Sequence, residues 1–215
     1  MKLLLRGHTE RYPVEQLQMH LFGNEPSEFV TEEFEEDGTI SSLSRGKLYL
    51  TATAKVRYRG KTGFAARRLP LEQADVRRAR RLLQQSYYLA AIQVLDTVPP
   101  WGALSGVRPT KLSTKCMLEA GSVRAAKKLL EQTYFVTPER SRLCVDASRH
   151  TLEAVRLSEP TDLSVYIGIP FCPTRCSYCS FVSESIERFG AFLPPYLAAL
   201  HREIEYTGKL RGGSA

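Results

Sequence analysis

No stretch of the 215-residue chain approaches the roughly 18 consecutive apolar residues that a membrane-spanning helix needs. The apolar run at residues 3–5 is followed directly by polar residues and is too short for a signal peptide. We therefore expect no membrane span and a cytoplasmic protein. The sequence also has no internal repeat and no low-complexity linker. With 43% hydrophobic residues, it has enough apolar material for one sizeable or two modest domains with true cores.

Cysteine is scarce and unevenly placed. Of the five cysteines, Cys172, Cys176 and Cys179 fall within eight positions. An odd number and this clustering suit metal binding in a reducing compartment better than disulfides. Structural zinc would need a fourth Cys or His nearby, and none follows Cys179 until His201, which makes zinc the weaker alternative.

The chain has fewer acidic than basic residues, 23 Asp and Glu against 30 Lys and Arg, so its formal net charge is +7. Such a field attracts anions, whether nucleic acid, an acidic membrane surface or a polycarboxylate small molecule. The sign of the net charge alone does not choose among these partners. That the positive charge has no specific function is an equally good interpretation. The acidic run at residues 32–37 carries no ligand pattern and is interpreted as a solvated edge.

The pattern of apolar residues predicts an amino-terminal domain over residues 1–158. Residues 1–70 are predicted to be α+β, with strands at 2–6 and 48–58, a helix at 14–22, and a hairpin that turns at 59–62 into a second arm at 63–68. Residues 71–158 are predicted to be helical. One helix, with apolar positions Val76, Ala79, Leu83, Tyr87 and Ala90, runs toward Pro99, and others begin near Pro109, Ser122 and Thr137. Cys116 and Cys144 lie inside these helices and are expected to be buried thiols.

A domain boundary is predicted at residues 158–162, where proline and polar residues precede an apolar strand at 163–169. The three clustered cysteines follow this strand at CxxxCxxC spacing, and Pro170 and Pro173 favour a loop over a helix. Four thiolates saturate a cubane iron–sulfur cluster, whereas three leave one iron open to another ligand. The spacing therefore indicates a [4Fe–4S] site with an exchangeable position.

Residues 166–181, YIGIPFCPTRCSYCSF, resemble the cluster loop of the oxygen-independent coproporphyrinogen III oxidase branch of the radical S-adenosylmethionine (SAM) superfamily. Gly168 stands where the usual pattern of the branch has histidine. The upstream segment 101–112, WGALSGVRPTKL, is similar to one in the coproporphyrinogen dehydrogenase subgroup, which carries an extra amino-terminal domain and also has this glycine.

The resemblance implies a fold, cofactors and residue roles. The fold class is α/β: the small α+β and helical amino-terminal domain is followed, at 159–215, by the first β-α unit of an incomplete (β/α) barrel. Cys172, Cys176 and Cys179 would ligate the cluster, Tyr178 would pack against the adenine of SAM, and Tyr166 would lie beside its sulfonium. Simple packing is the alternative for both tyrosines.

The implied reaction is oxidative decarboxylation of two propionates of coproporphyrinogen III to vinyl groups in haem biosynthesis, started by a 5′-deoxyadenosyl radical. The implied partners are the porphyrinogen substrate and a low-potential electron donor such as flavodoxin or ferredoxin. Arg108 and Lys111 are candidate substrate-binding residues because they lie in a loop that enters a helix, where an anionic group is favoured. The alternative is that Arg108 holds two domains together or is solvated.

One helix is predicted after the cysteines, begun by Pro195, with an apolar stripe of Leu197, Leu200 and Ile204 and an end at Gly208. Because a barrel enzyme builds its site from several strands, we expect a truncated chain that is inactive alone. Two other functions stay open. One is a haem chaperone of the same branch. The other is a radical RNA-modifying enzyme with a basic RNA-binding domain, although nucleic acid is an unlikely partner because no RNA-binding motif is present.

Overall fold

The computed structural model describes residues 1–23, 26–105, 108–159, 161–177 and 179–210. The chain is mixed α/β and divides into two compact units, Met1–Ser158 and Glu159–Ala215. Among the described residues, no helix combines the length and the apolar character that a bilayer crossing needs.

The first unit begins with a five-stranded mixed sheet in the order β2-β1-β3-β4-β5. Strand β1 is parallel to both of its neighbours, whereas β3, β4 and β5 form an antiparallel meander. The strands are β1 (Lys2–Arg6), β2 (Glu28–Val30), β3 (Gly38–Arg45), β4 (Tyr49–Tyr58) and β5 (Lys61–Pro70). The strands predicted at 2–6 and 48–58 are thus confirmed as β1 and β4.

The hairpin between β4 and β5 is tighter than predicted. Tyr58 pairs with Lys61, so only Arg59 and Gly60 form the loop. Both have positive φ, 49° and 76°, which is the backbone of a two-residue turn whose twist matches the flanking strands. Because the turn takes two residues rather than four, β5 begins at Lys61 instead of residue 63; its other end extends to Pro70, which pairs with Tyr49.

Two helices, α1 (Arg11–Phe22) and α2 (Val76–Ala91), pack against the sheet. Their buried residues meet one face of β4, and the shared core contains Leu3, Val14, Leu17, Leu50, Ala52, Ala54, Val56, Leu83, Tyr87 and Ala90. The alternation predicted along β4 is therefore a buried face. Val76, predicted on the apolar side of α2, is instead 62% exposed.

Helix α2 ends at Ala91, so the prediction that it runs toward Pro99 is wrong. The side-chain amide of Gln93 donates to the carbonyl of Phe64 at 2.9 Å, and its carbonyl accepts from the Phe64 amide at 3.2 Å. Gln93 thereby pairs with the backbone of edge strand β5. Val94, next in the chain, turns into the core. Both contacts require the chain to leave the helix.

Three helices complete the first unit: α3 (Pro109–Ala120), α4 (Val123–Lys128), which continues into a π-helical turn at Leu129–Thr133, and α5 (Pro138–Leu157). The predicted starts at Pro109 and Ser122 are confirmed, and the Ser122 hydroxyl accepts a cap bond from the Ala125 amide at 3.0 Å. Thr137 occupies the cap position of α5 but makes no such side-chain bond. A second core cluster forms here around Leu130, Val136 and Cys144.

The second unit has short strands β6 (Phe171–Cys172) and β7 (Glu184–Ser185), then α6 (Ile186–Phe189), a 3-10 turn at Gly190–Phe192 and α7 (Leu193–Leu210). The predicted strand at 163–169 is wrong, since no strand is present there. A strand needs a neighbour for its amides and carbonyls, and the described residues of this unit supply only the two-residue β6–β7 pair. The predicted helix is confirmed as α7, but Gly208 does not end it.

Candidate metal centre

A closed loop carries the three clustered cysteines. Strands β6 and β7 pair in parallel, Phe171 with Glu184 and Cys172 with Ser185, and the Glu184 amide donates to the Pro170 carbonyl at 2.7 Å. The chain that leaves β6 therefore returns to the same place twelve residues later. This pairing fixes both ends of the segment that contains Cys176 and Cys179.

The structure brings two of the three predicted ligands to one cavity. Cys172 and Cys179 line a cavity of about 370 Å³, and both are half-buried. Cys176 is exposed on the loop between them, where its carbonyl accepts from the Cys179 amide at 3.0 Å, and it does not line the cavity. Within the described ranges, no three His, Cys, Asp or Glu side chains converge closely enough to hold a metal ion.

The donor chemistry of the loop fits an iron–sulfur cluster. All three cysteines are free of disulfides, and thiolates are the ligands that iron–sulfur clusters use. The described residues place no carboxylate or imidazole in the cavity wall, so sulfur is the only strong metal donor there. Cys176 is exposed on the loop, so its side chain is not buried among the described residues.

Tyr166, the residue expected beside the sulfonium of SAM, also lines this cavity, and it is 85% exposed. A second cavity of about 490 Å³ shares Tyr166, Gly168 and Tyr196 and is otherwise lined mainly by apolar residues of the 163–167 segment and α7. Tyr166 thus lies between two cavities. Tyr178, predicted to pack on the adenine, lies outside the described residues.

Tyr196, in the first turn of α7, contacts the segment that leads into the cysteine loop. It was not among the residues predicted from the sequence. Its hydroxyl donates to the Gly168 carbonyl at 2.5 Å, and its ring meets Phe171 edge-on at 5.4 Å between centroids. It lines the cavity beside Cys172 and Cys179. Its position four residues before Leu200, on the apolar stripe of α7, is the signal that would have found it.

The other predicted residues lie in the first unit. Arg108 and Lys111 line one cleft of about 400 Å³. Cys144 is buried as expected, with its sulfur 3.2 Å from the Ser113 hydroxyl, and burial raises the pKa of its thiol. Cys116 is only half-buried against the second core cluster. Neither thiol belongs to the cysteine loop.

The chain is similar to the oxygen-independent coproporphyrinogen-III oxidase-like protein HemZ of Bacillus subtilis (strain 168), with 29% identity over 206 residues. The resemblance found in the sequence is confirmed. The match covers 91% of this chain and 38% of HemZ, so the chain spans well under half the length of this curated relative. No protein-family model matches the chain, and no solved structure gives a significant match.

Gly168 is the one departure of the cysteine loop from the usual pattern of the branch, and the structure shows what a side chain would meet there. A Cβ atom at this position would lie 3.3 Å from the Tyr166 ring. With any residue other than glycine at 168, the Tyr166 ring would have to shift slightly. Glycine at 168 and the position of Tyr166 are linked by this contact.

Proposed function

We propose that this chain supplies the cluster loop and the accessory domain of a radical SAM enzyme that acts on coproporphyrinogen III. The observation that carries the proposal is the loop itself, which holds Cys172, Cys176 and Cys179 between paired strands. The similarity to HemZ, whose name describes an oxygen-independent coproporphyrinogen-III oxidase-like protein, supports the substrate class.

In this proposal the three thiolates hold a [4Fe–4S] cluster and leave one iron for SAM. When bound, cluster and SAM supply one-electron cleavage of the sulfonium and hydrogen abstraction from the substrate propionate. The chain itself orients them. As the resemblance implies, Tyr166 and Tyr178 would flank SAM, and Tyr196 fixes the backbone at Gly168 through its hydrogen bond. Cys172 and Cys179 are half-buried in the cavity wall, whereas Cys176 is exposed on the loop.

The proposed overall reaction is oxidative decarboxylation of two propionates to vinyl groups. For each propionate, one SAM and one electron from a low-potential donor such as flavodoxin or ferredoxin would be consumed, one hydrogen atom and CO2 would leave the propionate, and the electron that remains would pass to a one-electron acceptor. A (β/α) barrel gathers its catalytic residues from several strands. The described part of the second unit holds one two-residue strand pair, so we propose that these 215 residues alone load a cluster but do not turn over.

Anaerobic reconstitution with iron and sulfide tests the proposal. The chain should bind roughly four irons and turn brown, and Cys172→Ala, Cys176→Ala and Cys179→Ala should each lose the chromophore because every thiolate fixes a cluster corner. Cys116→Ala and Cys144→Ala are the matched controls and should keep it. Loss of the cluster in Cys144→Ala, or its retention in Cys176→Ala, would show that the ligand set is wrong.

The haem chaperone alternative shares the loop, so cluster loading does not separate it from the enzyme. A haem titration of the reconstituted chain does. If haem binds stoichiometrically and added coproporphyrin does not compete with it, the chaperone is favoured. If haem binds weakly and added coproporphyrin displaces it, the enzyme is favoured.

The RNA-binding alternative relied on the basic side chains of the hairpin at 55–61 and of α2 at 77–81, and several of these already have partners. On the hairpin, the Arg57 guanidinium donates to the Phe34 carbonyl at 2.6 Å and Lys61 pairs with Asp96 at 2.7 Å. On α2, Arg80 pairs with Glu10 at 2.6 Å. Binding RNA there would break these contacts.

A further inference from the structure

A cleft in the first unit is lined by basic and polar side chains that the proposed chemistry of the cysteine loop does not use. Its volume of about 400 Å³ falls in the range of small-molecule sites. It lies where the loop before α3 meets α2 and α3. We call it the basic cleft; its polar lining residues are Gln84, Ser105, Arg108, Lys111, Lys115 and Tyr134.

The walls of the basic cleft are fixed by contacts within the protein. The Gln84 side-chain amide donates to the Ser105 hydroxyl at 2.9 Å, which ties the loop to α2. On the other side, the Ala103 amide donates to the Tyr134 carbonyl at 2.7 Å. Gly102, at φ 59°, permits this approach, because a Cβ atom there would lie 2.2 Å from the Tyr134 carbonyl oxygen. These contacts hold Ser105 against α2 and Ala103 against Tyr134 on two sides of the cleft.

The charge of the basic cleft has one sign. Arg108, Lys111 and Lys115 line it, and no Asp or Glu does within the part of the chain that the structure describes. Lys115 pairs with Glu119 at 3.6 Å, outside the lining, whereas Arg108 and Lys111 have no ion-pair partner among the described residues. Three cations around one cavity repel one another, and an anion between them removes that repulsion.

The rest of the lining determines which anion fits. Leu104, Leu112 and the Tyr134 ring give the basic cleft an apolar wall beside its cations. The Arg81 guanidinium lies over the Tyr134 ring at 5.2 Å and adds positive charge behind that wall. A small hydrated anion would use only the cations. A ligand with an apolar body and carboxylate arms would use both surfaces.

We propose that the basic cleft binds the carboxylate-bearing edge of an amphiphilic polyanion of the tetrapyrrole polycarboxylate class. Arg108 is suited to hold a carboxylate through two parallel N–H donors, with Lys111 as a second point charge. The helix start at Pro109 adds the positive end of the α3 dipole. The ligand class rests on the proposed function, whereas the shape and charge of the cleft do not.

Fluorescence titration of cluster-free chain with coproporphyrin III, the air-stable tetracarboxylate, tests the inference. Arg108→Gln and Lys111→Gln should each raise the dissociation constant at least tenfold, which corresponds to about 1.4 kcal/mol. Arg149→Gln, the same charge change on exposed α5, is the matched control and should change it less than twofold. Circular dichroism and melting temperature should stay unchanged in all three variants.

Two further probes distinguish the ligand chemistry. The tetramethyl ester of coproporphyrin III should bind much more weakly, and inorganic phosphate should compete only at high concentration. Any of three results would overturn the proposal: an equal loss of coproporphyrin affinity in Arg108→Gln and Arg149→Gln, full binding of the ester, or tight competition by phosphate. Cluster loading of the same variants is measured separately. A variant that loads the cluster normally but no longer binds coproporphyrin supports the proposed ligand of the basic cleft. Failure of the unmodified chain to load a cluster counts against the proposed function alone.

Discussion

At the scale of single residues, His8 is held in one protonation state by its hydrogen bonds. Its Nε2 lies 3.2 Å from the Ser41 carbonyl oxygen and must donate to it, and its Nδ1 accepts from the Glu10 amide at 3.2 Å. Only the neutral ring with its proton on Nε2 makes both bonds. Burial lowers the pKa of His8, although the Ser41 hydrogen bond and the nearby Glu10 charge act in the opposite direction.

The lowered pKa of His8 predicts a loss of stability in mild acid. As pH falls below the ordinary histidine pKa of about 6.5, the unfolded chain takes up a proton before the folded chain does, so the free energy of unfolding decreases. His8→Gln removes this titration. In urea unfolding at pH 7.5 and 5.5, the unmodified chain should lose more stability between the two pH values than His8→Gln. Equal losses would show that His8 does not titrate differently in the two states.

At the scale of elements, α7 and the cysteine loop are joined through Tyr196. The hydroxyl bond to Gly168 and the edge-on contact with Phe171 fix the segment that ends at Cys172. A net contribution of about 1 kcal/mol is typical of such a hydrogen bond. That is sufficient to shift the position of a short loop with little buried surface.

Tyr196→Phe should therefore make the cluster easier to lose while leaving its ligands intact. We expect the reconstituted variant to reach a similar iron content but to release iron to a chelator several-fold faster, since the loop opens more often. Tyr206→Phe, on the exposed part of the same helix, is the control. A release rate unchanged in Tyr196→Phe, or raised equally in both variants, would remove the positioning role.

The elements that could be predicted from the sequence are those whose signals are local. The alternation along β4, the proline at the start of α3 and the Ser122 cap each act within a few residues, and all three are confirmed. The end of α2 depends on Gln93 meeting a strand 29 residues earlier, which no local pattern reveals. The prediction of a strand at 163–169 was wrong for a related reason. An apolar extended segment becomes a strand only when another strand pairs with it.

The same distinction holds for the candidate site. Spacing singled out Cys172, Cys176 and Cys179 as candidate ligands, because spacing is a property of the sequence. Spacing did not indicate that only two of them line the cavity or that Tyr196 lines it as well, because those facts depend on the β6–β7 pairing and on the contacts of α7. Arg108 and Lys111 were found by their place at the start of a helix; the structure puts Arg108 directly before α3 and Lys111 in its first turn rather than in a loop. The neutral and apolar walls that complete the basic cleft come from α2, the loop before α3, Leu112 of α3 and Tyr134.

At the scale of the whole molecule, the two units differ in what stabilises them. The first unit has two clusters of fully buried apolar side chains. In the second unit, every described residue whose burial is given is half-buried or exposed, including all those of α7. Burial of apolar surface is the main term that offsets the loss of chain entropy on folding. Bound metal can supply the missing stabilisation, because ligand binding to the folded state adds to its stability.

This difference predicts separate unfolding of the two units. Trp101 is the single tryptophan and packs in the second core cluster of the first unit, so its fluorescence reports on that unit, while the absorbance of the cluster reports on the cysteine loop. In an anaerobic urea titration of the reconstituted chain, the cluster absorbance should disappear at lower urea than the Trp101 transition. The Trp101 midpoint should be the same in Cys176→Ala, which loads no cluster, because metal bound to the second unit stabilises only the state that holds it. A single transition seen by both probes, or a Trp101 midpoint that falls when the cluster is absent, would instead mean that the two units unfold as one.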